Sequence, residues 1–150
     1  YASGDDGDIK AGISWPNPRF TDNGDGTITD NLAGLMWEKT PINQFRNWYD
    51  ALSYCNNLIL AGFNDWRLPN IKELLSIINF EASNSLSWLN SLGFNISLSD
   101  HNRFWTSTTC NSPTSHAWPL YMWDGDPLSG SYYGDKNSGT CYVWAVRTKQ

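Results

Sequence analysis

The sequence predicts a single α+β domain, and three observations carry that reading. Short β-prone segments bounded by turn residues occupy both ends of the chain. Two capped stripes of apolar residues at helical spacing lie between them. No segment repeats. With 150 residues, 40% hydrophobic and 17% charged, the chain is globular and long enough to bury a real core.

Residues 1–17 read as a lead-in: Gly4, Asp5, Asp6, Gly7 and Asp8 are followed by Pro16. The domain proper is read as 18–150. Its first elements are strands. Asn23-Gly24 and Asp25-Gly26 lie between β-prone residues, which predicts a hairpin. Leu35-Met36-Trp37 reads as a third strand after a turn over Asn31–Gly34. Asn47 then caps a helix, with Asp50 three residues on and Trp48, Ala51, Leu52, Cys55 and Leu58 on one stripe. Asn70 caps a second helix, with Glu73 at the third position and Ile71, Leu74, Leu75 and Ile78 inward. A short helical turn is expected near Ser87–Leu92. The remainder reads as strands: Phe104–Thr109, Ala117–Met122, Gly130–Tyr133 and Cys141–Arg147, separated by Asn-, Asp-, Pro- and Gly-rich turns.

Composition removes several classes of function. The net charge is −5, and Lys and Arg are scattered singly, which argues against nucleic acid or any other polyanion as a partner. No apolar run approaches the roughly 20 residues of a membrane-spanning helix, so no membrane insertion is expected. Cys55, Cys110 and Cys141 match no zinc or redox spacing, and with few Lys and Glu among much Ser, Asn and Gly they lean toward an extracytoplasmic setting. Asp22, Asn23, Asp25 and Asp30 lack the alternating ligands and terminal Glu of a calcium loop; a tight turn suits them better, and no metal or other cofactor is expected. Two histidines in polar surroundings, His101 and His116, set up no nucleophile and base, so the chain reads as non-enzymatic.

Nine Trp, seven Tyr and six Phe are the outlying feature. They fit either a Trp-rich core or a recognition face, where aromatics supply contact area at low entropic cost. From residue 102 to 144, aromatics alternate with Ser, Asn, Thr and Gly, as in antibody paratopes. The candidate ligand-binding residues are His116, Tyr121, Trp123, Asp124, Asp126, Tyr132, Tyr133, Tyr142 and Trp144. Strand alternation puts Tyr142 and Trp144 on one face and Val143 on the other. With Val143 taken as core, Tyr142 and Trp144 are expected at the surface.

Several blocks together resemble one family. They are Pro18-Arg19-Phe20-Thr21-Asp22-Asn23-Gly24-Asp25-Gly26-Thr27, Gly34-Leu35-Met36-Trp37, Ala51–Leu58, Asn64-Asp65-Trp66-Arg67-Leu68-Pro69-Asn70, Phe104-Trp105-Thr106-Ser107, Ala117-Trp118 and Val143-Trp144-Ala145-Val146-Arg147. In this order they resemble the Lcl C-terminal domain family of bacterial collagen-like adhesins. The resemblance implies a C-type-lectin-like fold, with two helices on a mostly antiparallel sheet and long C-terminal loops. It also implies a protein or glycan ligand met at a cell or virion surface. Similar domains occur as variable proteins of diversity-generating retroelements, whose C-terminal surface is mutated to find new ligands. In such blocks Phe104, Trp105 and Trp118 are core. Family members often pair the helix-one cysteine with a cysteine in the final strand; Ala145 stands there here, which leaves Cys55 without that mate. Cys110 and Cys141 lie on segments that the implied fold could bring together, and their disulfide is expected. Asp65 would accept from Arg67 or a helix-end N–H, with Pro69 leading into the second helix. The resulting expectation is a non-enzymatic, surface-displayed ligand-binding domain. Its rivals are a glycan-binding adhesin module and a sulfatase-modifying (formylglycine-generating) type of oxidase, which would need a reactive cysteine pair.

Overall fold

The computed structural model describes residues 2–9, 12–97, 103–122 and 134–149. The order is α1 (Asp6–Ile9), β1 (Phe20–Asp22), β2 (Thr27–Asp30), β3 (Leu35–Glu38), β4 (Ile42–Arg46), α2 (Trp48–Asn57), α3 (Ile71–Ser76), α4 (Ser85–Ser91), β5 (Arg103–Thr109), β6 (His116–Tyr121), β7 (Gly134–Asp135), β8 (Cys141–Val143) and β9 (Val146–Thr148). The fold is α+β, as the element order predicts. Two sheets form, ordered β1-β2-β3-β9 and β4-β8-β5-β6-β7. Among the described residues all pairings are antiparallel except β5 with β8.

Local chemistry explains the early elements. The β1–β2 turn is closed by its own side chains: Asp22 accepts from Gly24 N, Asp25 from Thr27 N and Oγ1, and the Asn23 amide donates to Thr27 and Thr29. Asp22 also meets Lys39 at 2.6 Å. Asp30, fully buried, pairs with Arg19 and accepts from Leu32 N and Ala33 N. These carboxylates act as turn and strand-end acceptors. Asn47 caps α2 by accepting from Asp50 N, and Asn70 with Glu73 forms a full capping box on α3. The lead-in carries the α1 turn and is tied to the domain through Trp15, whose ring lies 5.5 Å from that of Trp88 and beneath Arg19.

The predicted strand over Cys141–Arg147 is in fact two. β8 pairs with β4 and β5, and β9 pairs with β3, so the chain crosses from one sheet to the other at Trp144-Ala145. Side chains along this crossing alternate between two apolar clusters. Tyr142, Trp144 and Val146 enter the cluster that holds Phe20, Ile28, Trp37, Leu89, Phe94, Phe104 and Leu120. Cys141, Val143 and Ala145 enter the cluster that holds Ala51, Cys55, Trp66, Leu68, Trp105 and Ala117. Both faces are therefore covered.

That geometry corrects the expected exposure of Tyr142 and Trp144. Their alternation with Val143 is as read, but Trp144 is fully buried and Tyr142 nearly so. The Trp144 ring stands 5.4–5.5 Å from those of Trp37, Phe94 and Phe104, and its indole N–H donates to Glu38 O at 2.7 Å. The expected Cys110–Cys141 disulfide is corrected as well, since all three thiols are free and buried. The parallel register sets Phe104 beside Tyr142, so Cys141 lies near the start of β5 whereas Cys110 follows its end. Several residues of strand separate them, on the order of 15–20 Å, against a Cα separation of about 6 Å in a disulfide.

Candidate functional site

Of the predicted contact residues, Trp123, Asp124, Asp126, Tyr132 and Tyr133 lie outside the described residues, as does the Gly130–Tyr133 strand candidate. His116 and Tyr121 are described, and both are half-buried at opposite ends of β6. The structure does not bring those two together, because six residues of strand separate the ends by roughly 17 Å.

At the Tyr121 end, Tyr121 stands directly across from Arg103 on β5. The Arg103 guanidinium lies over the Tyr121 ring at 5.4 Å. Its Nε is buried and has no partner among the described residues. Trp118, half-buried rather than fully in the core, is on the same strand. Beneath this end Phe104 and Leu120 are completely buried, so the aromatic and basic groups sit on a rigid base.

At the His116 end the groups are knitted into structure. His116 Nδ1 lies 2.9 Å from Ser115 Oγ, and His116 O accepts from Cys110 N. Lys136 is almost wholly buried; its ammonium donates to Thr109 Oγ1 and Thr114 O at 2.9 Å each and lies 4.2 Å from the Trp48 ring centroid. Two residues before it, Gly134 lies against the outer edge of the Trp105 six-membered ring. A Cβ there would stand 2.3 Å from that ring, so the position takes no side chain.

The Asp65–Pro69 block does structural work through partners other than those expected. Asp65 accepts from Arg147 Nε and Nη2 at 2.6 and 3.1 Å, which holds the Asp65 carboxyl below its usual range. Arg147 is itself buried and lies over the Phe63 ring at 3.8 Å. Arg67 instead makes a fork to Glu73 at 2.7 and 2.6 Å. Burial alone would raise Glu73, but the Arg67 bonds and the Asn70 N–H outweigh it and hold the carboxyl low.

Two features were missed by sequence reasoning. Glu38, at the end of β3, is a buried carboxyl that accepts from Tyr54 OH at 2.7 Å and from Ala145 N at 3.3 Å. Burial outweighs those bonds and pushes its pKa up to about 7. The second is a cleft of about 360 Å³ between β4 and α2, lined by Arg46, Asp50, Ser53, Tyr54, Asn57, Leu58 and Ile59. Spacings of three and four along α2 could have flagged the polar stripe, but β4 itself gave no strand signal.

The thiols are chemically quiet. Burial, with Glu38 nearby, raises Cys55; burial raises Cys110 despite Lys136; and burial pushes Cys141 up to about 11. Cys55 Sγ lies 3.9 Å from Trp144 O, beside Ala145, where the family's second cysteine is expected.

Fold and site together define an α+β domain whose two sheets enclose two apolar clusters. The chain belongs to the Lcl C-terminal domain family, whose model matches residues 26–147. No curated relative matches the chain.

Proposed function

We propose that this is a non-enzymatic, C-type-lectin-like ligand-binding domain displayed at a cell or virion surface. Its contact face is the Arg103–Tyr121 end of β5 and β6 together with the adjoining C-terminal segment. The observation that carries the reading is the half-buried Arg103–Tyr121 pair on a sheet backed by fully buried Phe104 and Leu120. A planar cation beside an aromatic ring, on a base that does not move, is the chemistry of an interface hot spot. The ligand is a protein or a glycan. Buried thiols held in the protonated form speak against the oxidase alternative, because the thiolate is the reactive species.

In the retroelement-diversified version of this reading, adenine-directed change at AAC codons cannot produce Trp, Met or Lys. Trp118, Met122, Trp123, Lys136 and Trp144 are then scaffold; the burial of Met122, Lys136 and Trp144 supports that role, whereas Trp118 is half-buried and Trp123 lies outside the described residues. A near-copy of the coding segment differing only at adenines would establish diversification, and its clean absence from the source genome would sink it. Contact is tested with Arg103→Ala and Tyr121→Ala, measured against glycan arrays and displayed surface proteins. Each substitution is expected to weaken saturable binding by about tenfold or more. Binding unchanged in both variants would remove this face from the proposal.

A further inference from the structure

The β4–α2 cleft is lined by none of the residues of the proposed contact face and has a chemistry of its own. Its floor is one stripe of α2. Asp50, Ser53, Tyr54, Asn57 and Leu58 follow one another at spacings of three and four, with Ile59 continuing past the end. The stripe is polar at its start and apolar at its finish, where Ile59 is 76% exposed.

Arg46 closes one side. Its guanidinium lies 5.6 Å from the Tyr54 ring centroid, so it reaches over the second turn of the helix rather than the first. Among the described residues it forms no ion pair, and its hydrogen bonding is limited to a long 3.4 Å contact from Nη2 to Gln44 Oε1. Its Nε is buried without a partner. A guanidinium fixed on an aromatic ring, with terminal N–H groups unspent, is a receptor for a carboxylate. Tyr54 stands three residues before the end of α2, about 4.5 Å of helix, and Leu58 and Ile59 follow just past that end, so an apolar side chain or ring beside Tyr54 can meet them. Tyr54 is itself anchored by its hydroxyl on Glu38, so the cleft wall is preorganised.

We infer that the β4–α2 cleft binds an amphipathic carboxylate, with Arg46 taking the carboxylate and Tyr54, Leu58 and Ile59 taking an adjoining apolar group. Asp50, Ser53 and Asn57 flank the position where an N–H or hydroxyl next to that carboxylate would lie. A free N-acyl amino acid and the C-terminus of a peptide ending in an apolar residue both present this chemistry.

The test is titration of the whole chain with N-acetyl-leucine, N-acetyl-leucinamide and a hexapeptide acid ending in Leu, followed by calorimetry and by the amide NMR signals of residues 46–59. The acid is expected to bind saturably, and the uncharged amide at least tenfold more weakly. A hexapeptide bound tenfold tighter than N-acetyl-leucine assigns the site to peptide ends; equal affinity assigns it to small free acids. Arg46→Gln should cost at least tenfold. Ile59→Glu changes an exposed residue and should cost at least as much with folding intact. The inference is overturned if neither acid binds saturably, if acid and amide bind alike, or if affinity survives both substitutions.

Discussion

Glu38 gives this domain a pH dependence opposite to that of an ordinary salt-bridged carboxylate. Its carboxyl is buried and neutralised by no cation among the described residues; it accepts only from Tyr54 OH and Ala145 N. The folded-state pKa is about 7, against 4.5 for an unperturbed Glu. The folded protein therefore holds this proton more tightly than the unfolded chain. The resulting stabilisation is complete below pH 4.5, declines as pH rises and is gone above pH 7. At about 1.36 kcal/mol for each pH unit across that 2.5-unit window, roughly 3 kcal/mol is lost. Glu38→Gln keeps an acceptor for Ala145 N and a polar group for Tyr54, but does not titrate. The assay is urea unfolding of both proteins from pH 4 to pH 8. Asp22, Asp65 and Glu73, all held low, lose their contributions as pH falls through the acid range, and they do so equally in both proteins. The difference in unfolding free energy, variant minus wild type, should rise by about 3 kcal/mol between pH 4 and pH 8. A difference flat with pH would refute the placement of Glu38 as an unpaired buried carboxyl.

Two further substitutions probe the packing. Trp144→Ala removes a fully buried indole from among three aromatic rings and should cost about 3–5 kcal/mol in chemical denaturation, whereas an exposed Trp would cost within about 0.5 kcal/mol. Gly134→Ala drives a methyl into the Trp105 ring and should cost about 1–3 kcal/mol, with a change in near-ultraviolet circular dichroism as the indole shifts.

Much of the fold was legible where the cause is local. The Asn-Gly and Asp-Gly turn closes on its own side chains, and Asn47 and Asn70 cap the helices they were assigned. β4 was not legible. Ile42–Arg46 is an edge strand, exposed through its middle, with Asn and Gln where a half-buried strand shows alternation. The candidate site was legible only in part. The strand read over Ala117–Met122 already sets His116 and Tyr121 at opposite ends, but nothing local shows that Arg103 stands across from Tyr121, because that pairing joins two separate segments.

By itself the sequence determined the α+β order, the turns and caps, and the face each residue of 141–146 takes relative to its neighbours. All of these follow from bonds within a few residues or from the two-residue period of a strand. Only the tertiary structure decided what covers each face. Tyr142 and Trp144 are core because the crossing between sheets is packed on both sides, and Cys110 and Cys141 stay apart because the β5–β8 register sets Cys141 at the start of β5 and Cys110 follows its end. Periodicity states which side chains point together; burial depends on which distant segments arrive to meet them.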